Sequence, residues 1–146
     1  MHRNFKISSR SHHGVVFIAE LGRVCDGAPV SIREIAGRLE LPEKYLEELV
    51  RALRAAGLVV SSRGRTGGYR LARQPREITM GEVVRALEGP IVLAHCLDAQ
   101  TDDACPHEQS CVSRSFFQRL QQTIEQELDH MTLADIATAH AKTASP

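Results

Sequence analysis

Cys96, Cys105 and Cys111 lie within sixteen residues at a Cys-x8-Cys-x5-Cys spacing, with His95 and His107 beside them. Thiolates are soft ligands, so such a cluster points to a metal centre or to thiol redox chemistry. The paired Cys-x2-4-Cys knuckles of ordinary zinc fingers are absent. Widely spaced thiols on a flexible loop better suit an iron–sulfur cluster, with three ligands from one segment and a fourth from elsewhere. The local charge narrows the choice. Asp98, Asp102, Asp103 and Glu108 surround the thiols, and 86–113 contains no Lys or Arg. Nearby negative charge disfavours a thiolate, whereas a bound cation reverses that penalty. A metal or cluster is therefore expected rather than a bare nucleophile, with a zinc site or a reversible disulfide as the alternatives. Cys25 stands apart in a Gly/Pro turn and reads as a structural thiol.

A second set of residues is basic. The chain has 18 Lys plus Arg and 18 Asp plus Glu, but they are divided unevenly. Met1 to Arg76 holds fourteen cations and seven carboxylates, and Glu77 to Pro146 holds four and eleven. A basic half is the electrostatic footprint of a nucleic-acid surface, because cations on phosphates supply much of the affinity. No apolar run is long enough to span a membrane, and Met1 to Arg10 lacks the pattern of a signal peptide, so a cytoplasmic protein is expected. There is no His-Glu-x-x-His, nucleophile elbow or phosphate-cradling loop, and His12-His13 has no evident acid–base partner, so an enzyme is not expected.

The elements that must carry these residues follow from periodicity and punctuation. Val15, Ile18, Ala19 and Leu21 predict an opening helix over 11–21, stopped by Gly22 and the Gly/Pro turn. Ser31-Ile32-Arg33-Glu34 matches a capping box and starts a short helix through Leu39. Leu41-Pro42 makes a turn, with Pro42 suited to a first helical position. Leu46, Leu49, Val50 and Leu53 give the next helix a buried face up to Ala56 and Gly57.

Residues 58–62 and 69–72 read as strands around the tip Arg63-Gly64-Arg65-Thr66-Gly67-Gly68, which makes a β-hairpin wing. In a helix-turn-helix the second helix enters the major groove. That places Glu43, Lys44, Tyr45, Glu47 and Glu48 there, Lys44 for phosphate or guanine, Tyr45 for a phosphate or for packing inside, and Glu47 or Glu48 for cytosine N4 or for pairing with Arg51. Arg63 and Arg65 on the wing tip, with Arg70 on the returning strand, suit phosphates or a narrow minor groove.

Thr79-Met80-Gly81-Glu82 is a second capping box, opening a helix that Gly89-Pro90 ends. Beyond the cysteines, Phe117, Leu120, Ile124, Leu128 and Met131 predict a long amphipathic helix over 113–131, whose partner is expected to be a second copy of itself on a palindromic site. Residues 132–136 start a last short helix. The expected fold is mainly α with a small β-hairpin: a winged helix-turn-helix over 1–90, a cysteine loop over 91–112, dimerisation and terminal helices over 113–136, and a flexible tail over 137–146. A pure protein-interaction module without a DNA target is the competing class.

Several segments together resemble the Rrf2 family of bacterial regulators. They are Lys6-Ile7-Ser8-Ser9-Arg10, Ser31-Ile32-Arg33-Glu34-Ile35-Ala36, Glu43-Lys44-Tyr45-Leu46-Glu47, the wing from Ser62 to Leu71 with its Gly67-Gly68-Tyr69, the helix around Val83-Val84-Arg85-Ala86-Leu87-Glu88-Gly89, and Thr132-Leu133-Ala134-Asp135. The resemblance implies a homodimeric repressor or activator whose affinity for double-stranded DNA depends on a cluster at Cys96, Cys105 and Cys111. It also implies Lys44, Tyr45, Glu47 and Glu48 at the major groove and Arg63 at the minor groove. Two departures stand out. The first intercysteine gap is longer than in cluster-binding members, and Arg114 occupies the position of a histidine ligand. Arginine cannot ligate iron. The fourth ligand is then His107, ahead of His95, or a residue near Ser11 or His12 from the partner subunit, and two-iron and four-iron clusters both stay open.

Overall fold

The computed structural model describes residues 7–24, 27–100 and 105–143, with side chains up to 138. Lys6, Cys25, Asp102 and Asp103 lie outside the described residues. The described residues form six α-helices and one hairpin: α1 (Ser9–Arg23), α2 (Ile32–Leu39), α3 (Glu43–Ala55), β1 (Val59–Ser62), β2 (Gly68–Leu71), α4 (Met80–Glu88), α5 (Val112–His130) and α6 (Leu133–Thr143), with short 3-10 turns at Pro75–Glu77 and His95–Leu97.

Phe17, Ile18 and Leu21 of α1 form the centre of the core with Ile35 of α2, the Leu46–Leu49–Val50–Leu53 face of α3, Ile78, Val83 and Leu87, and Leu133 of α6. Burying this apolar stripe of α3 leaves its opposite face in water. Leu39 and Ala55 close helices at the expected places, but two caps differ in detail. Ser31 accepts from the Glu34 N–H at 3.2 Å. The Glu34 carboxylate turns instead to Arg38 at 2.6 Å, so only half of the expected capping box forms. Pro42 is the N-cap of α3, one place earlier than expected, with extended backbone. At Thr79 the box is complete in both directions.

The wing is antiparallel, in register Val59↔Leu71 to Ser62↔Gly68. It is fastened to the helix-turn-helix by a third strand-like residue. Val30 and Tyr69 exchange both backbone hydrogen bonds at 2.8 Å. A Cβ on Gly68 would run into the Val30 carbonyl, and one on Gly67 into the Ser62 carbonyl. Gly67 and Gly68 are thus required by close backbone approach.

A second bridge, Thr79↔Thr132, ties the α5–α6 junction to the head. Met80 N–H donates to the Met131 carbonyl at 2.8 Å and Leu133 N–H to the Ile78 carbonyl at 2.9 Å. Arg85 of α4 pairs with Asp129 of α5. The C-terminal end of α5 is therefore fixed to α4, whereas no residue of α5 is fully buried. α6 runs to Thr143, well past the expected end at 136, so 137–143 is helical rather than loose tail. The Thr132–Asp135 hydrogen bonds start it, and the fully buried Leu133 holds it on the core.

Candidate nucleic-acid interface and cysteine loop

Lys44, Glu47, Glu48 and Arg51 are exposed on the outer face of α3, because the residues between them face the core. They line an open groove of about 460 Å³ that also includes Arg10 of α1. The expected pairing of a glutamate with Arg51 does not occur: among the described residues, neither Glu47 nor Glu48 forms an ion pair. Four and three residues from Arg51 on one helix, both have the spacing to pair, but both stay in water, where such a pair gains little.

Tyr45 differs from its neighbours. Its ring packs against the core, and its hydroxyl meets His13 Nδ1 at 3.0 Å, with the rings edge-to-face. His13, which had no evident partner in the sequence, therefore supports the first turn of α3. On the wing, Arg63, Arg65 and Arg70 are exposed. Gly64 adopts φ +112°, and its carbonyl accepts from the Gly67 N–H at 3.0 Å to close the tip. Backbone in that region strongly favours glycine.

The cysteine loop is built on α5. The 3-10 turn His95–Leu97 carries Cys96, and just before it the Leu93 N–H donates to the Gln121 side-chain carbonyl of α5 at 3.1 Å. Cys105 begins a series of turns in which its carbonyl accepts from the Glu108 N–H at 3.1 Å. Cys111 is the N-cap of α5. Its sulfur lies 3.2 Å from the Ser113 hydroxyl.

The thiol is held below its ordinary value of 9.0, first by the Ser113 hydroxyl, then by the Arg114 and Ser113 backbone N–H groups, and also by the Arg114 charge. This corrects the expectation that acidic surroundings suppress thiolates throughout the loop. Arg114 pairs with Glu108 at 2.5 Å, which neutralises a neighbouring carboxylate. Donors in contact with the sulfur outweigh more distant charges in water.

Cys96, Cys105 and Cys111 are each free and partly buried, and His107 is exposed. Among the described residues no three His, Cys, Asp or Glu side chains converge as a ligand set, so the fold does not bring the three cysteines and His107 together as one site. Three free thiols on one segment are nonetheless the type of donor that an iron–sulfur cluster takes.

Sequence reasoning missed two residues. Arg10 and His13, three apart on α1, both reach α3: one lines its groove and the other bonds Tyr45. The i, i+3 spacing with Phe17 one turn further on was the only local signal.

Two helices in tandem, a hairpin pinned beside them and an exposed face on the second helix define a winged helix-turn-helix DNA-binding protein. The Rrf2 family model, described as an iron-dependent transcriptional regulator, matches residues 7–139. The regulator CymR of Bacillus subtilis is 37% identical over 133 residues, covering 91% of this chain and 90% of that protein. Its solved structure, titled the global cysteine regulator, superposes with a TM-score of 0.74 at 36% identity over 93% of this chain and 98% of that one. The structure titled T. potens IscR gives a TM-score of 0.77 at 36% identity, covering 98% and 93%. The chain belongs to the Rrf2 family of transcriptional regulators. No helix among the described residues is long and apolar enough to cross a membrane.

Proposed function

We propose that this regulator is a homodimer whose affinity for a palindromic DNA site is set by an iron–sulfur cluster held by Cys96, Cys105 and Cys111. The observation that carries the proposal is the seat of Cys111: a free thiol at the N-cap of a helix whose other end is fastened to the DNA-binding head. A bound cluster supplies an iron- and redox-labile bond between loop and helix. His107, ahead of His95, is the candidate for the fourth ligand, since Arg114 cannot serve and is engaged with Glu108.

The dimer rests on exposed apolar surface. Val112, Phe116 and Leu120 are 91%, 62% and 40% exposed on α5. The C-terminal end of the same helix lines an apolar groove of about 520 Å³ with Ile7, Val15, Val84 and Ile136. A two-fold pair lays the stripe of one copy on the groove of the other and sets two α3 helices at one operator. Lys44, Glu47 and Glu48 then face the major groove beside Tyr45, and Arg63, Arg65 and Arg70 flank it.

A second reading keeps the DNA reader and makes the three cysteines a thiol switch. It is favoured by the similarity to a protein titled a cysteine regulator and by the lowered Cys111 thiol. Anaerobic purification separates the two. Visible absorbance with iron and acid-labile sulfide, lost in Cys111→Ser, supports the cluster, and a colourless, iron-free protein that forms a reversible disulfide in air supports the switch.

A further inference from the structure

The first turn of α1 belongs neither to the helix-turn-helix nor to the wing, yet it lies on the groove of α3. Arg10 shares that groove with Lys44, Glu47, Glu48 and Arg51. Its Nε donates to the Leu87 carbonyl at the end of α4 at 3.1 Å, which anchors one edge of the guanidinium. Its terminal nitrogens make no other hydrogen bond among the described residues. A guanidinium held at one edge and open at the other is prepared for a phosphate.

Three residues further along α1, His13 Nδ1 meets the Tyr45 hydroxyl of α3 at 3.0 Å. A tyrosine hydroxyl has a single proton to donate, and a phosphate oxygen only accepts. If Tyr45 donates to His13 it has nothing for a phosphate. When Nδ1–H donates to the tyrosine oxygen, the hydroxyl proton is free to turn outward. Glu47 and Glu48 oppose an anion in this groove, and the Glu88 carboxylate also feels the Arg10 charge. Glu88, however, is already engaged by the Ser8 and Ser11 hydroxyls, which leaves Arg10, Lys44 and Arg51 as the cations that an incoming phosphate meets.

We infer that α1 and α3 together form a seat for one DNA backbone phosphate, contacted by Arg10, Lys44 and the Tyr45 hydroxyl, with His13 as the positioning residue for that hydroxyl. The inference rests on α3 being the helix that meets DNA. Phosphate contacts carry no sequence information, so a mixed-sequence DNA duplex is a sufficient probe, its binding to the full-length protein followed by fluorescence anisotropy across a salt series.

Arg10→Gln retains a donor for the Leu87 carbonyl and removes the charge. The expected result is affinity about tenfold lower and a salt slope shallower by about 0.9. His13→Phe keeps the edge contact of the rings and removes the hydrogen bond. It should weaken binding about three- to tenfold, leave the slope unchanged, and add nothing in a Tyr45→Phe background. His13→Asn, which places a polar atom where Nδ1 stood, should restore much of the loss. Thermal melts of each variant separate lost contacts from lost folding.

An unchanged slope in Arg10→Gln, or additive losses for His13→Phe and Tyr45→Phe, overturns the seat. If Arg63→Ala and Lys44→Ala flatten the slope while Arg10→Gln does not, the seat fails and the DNA-binding face stands. If none of the variants changes the slope, the placement of α3 and the wing on DNA fails with it.

Discussion

At the scale of single residues, the structure separates positions fixed by backbone approach from those free to change. Gly68 faces the Val30 carbonyl, so Gly68→Ala must push the wing off the head and should cost about 1–3 kcal/mol. Gly37, exposed inside α2, meets nothing within 4 Å of an added Cβ. Gly37→Ala should therefore stabilise by about 0.5–1 kcal/mol, and denaturant melts of the two variants test both signs. Glu88 gives a pH prediction. Its carboxyl is held below its ordinary value of 4.5, first by the Ser8 hydroxyl and then by the Ser11 hydroxyl, against an opposing desolvation. A depressed folded value adds stability that is complete above the ordinary value and is lost as pH falls through the folded one. Thermal melts from pH 6 to pH 3 should show Glu88→Gln less stable at the upper end and converging with the natural protein in acid. Little of this was legible beforehand. The caps at Ser31 and Thr79 are written in four adjacent residues each, whereas Glu88 with Ser8, or His13 with Tyr45, needs a tertiary contact that no local pattern encodes.

At the scale of elements, helices α1 to α4 and the hairpin follow from apolar spacing and Gly/Pro punctuation, because each has one face on a common core, and α5 follows from apolar spacing although only its Leu128 packs against that core. The extension of α6 did not, since residues 137–143 have no strong periodicity and are carried by the anchor at Leu133. The long helix has two regimes. Its C-terminal end is joined to α4 by Arg85–Asp129 and the Thr79–Thr132 bridge, and its N-terminal part presents Phe116 to water. Phe116→Asp should abolish the proposed dimer without unfolding the head. Sedimentation should report a monomer at concentrations where the natural protein is dimeric, with unchanged helical circular dichroism. Truncating Leu133 to Ala should cost about 2–5 kcal/mol and loosen α6 together with the end of α5, because the site is fully buried.

At the scale of the whole molecule, charge is divided unevenly between a basic first half, which holds the helix-turn-helix and the wing, and an acidic second half, which carries the three clustered thiols. The cysteine spacing suggests a class of chemistry, but it could not show that Arg114 is taken by Glu108 or that the loop leans on Gln121 of α5. Those contacts supply a physical route by which three thiols could influence two recognition helices, since loop, α5 and α4 are joined in sequence. Coupling of this kind is reciprocal and typically about 1–3 kcal/mol. The most direct test measures affinity for a palindromic duplex selected from a random pool, using one anaerobic preparation before and after removal of its iron by chelation. Removing iron should change the affinity of the natural protein by about tenfold or more, with no change in Cys111→Ser. Equal affinities in the natural protein before and after chelation, with loss of iron verified in the same sample, would contradict cluster control.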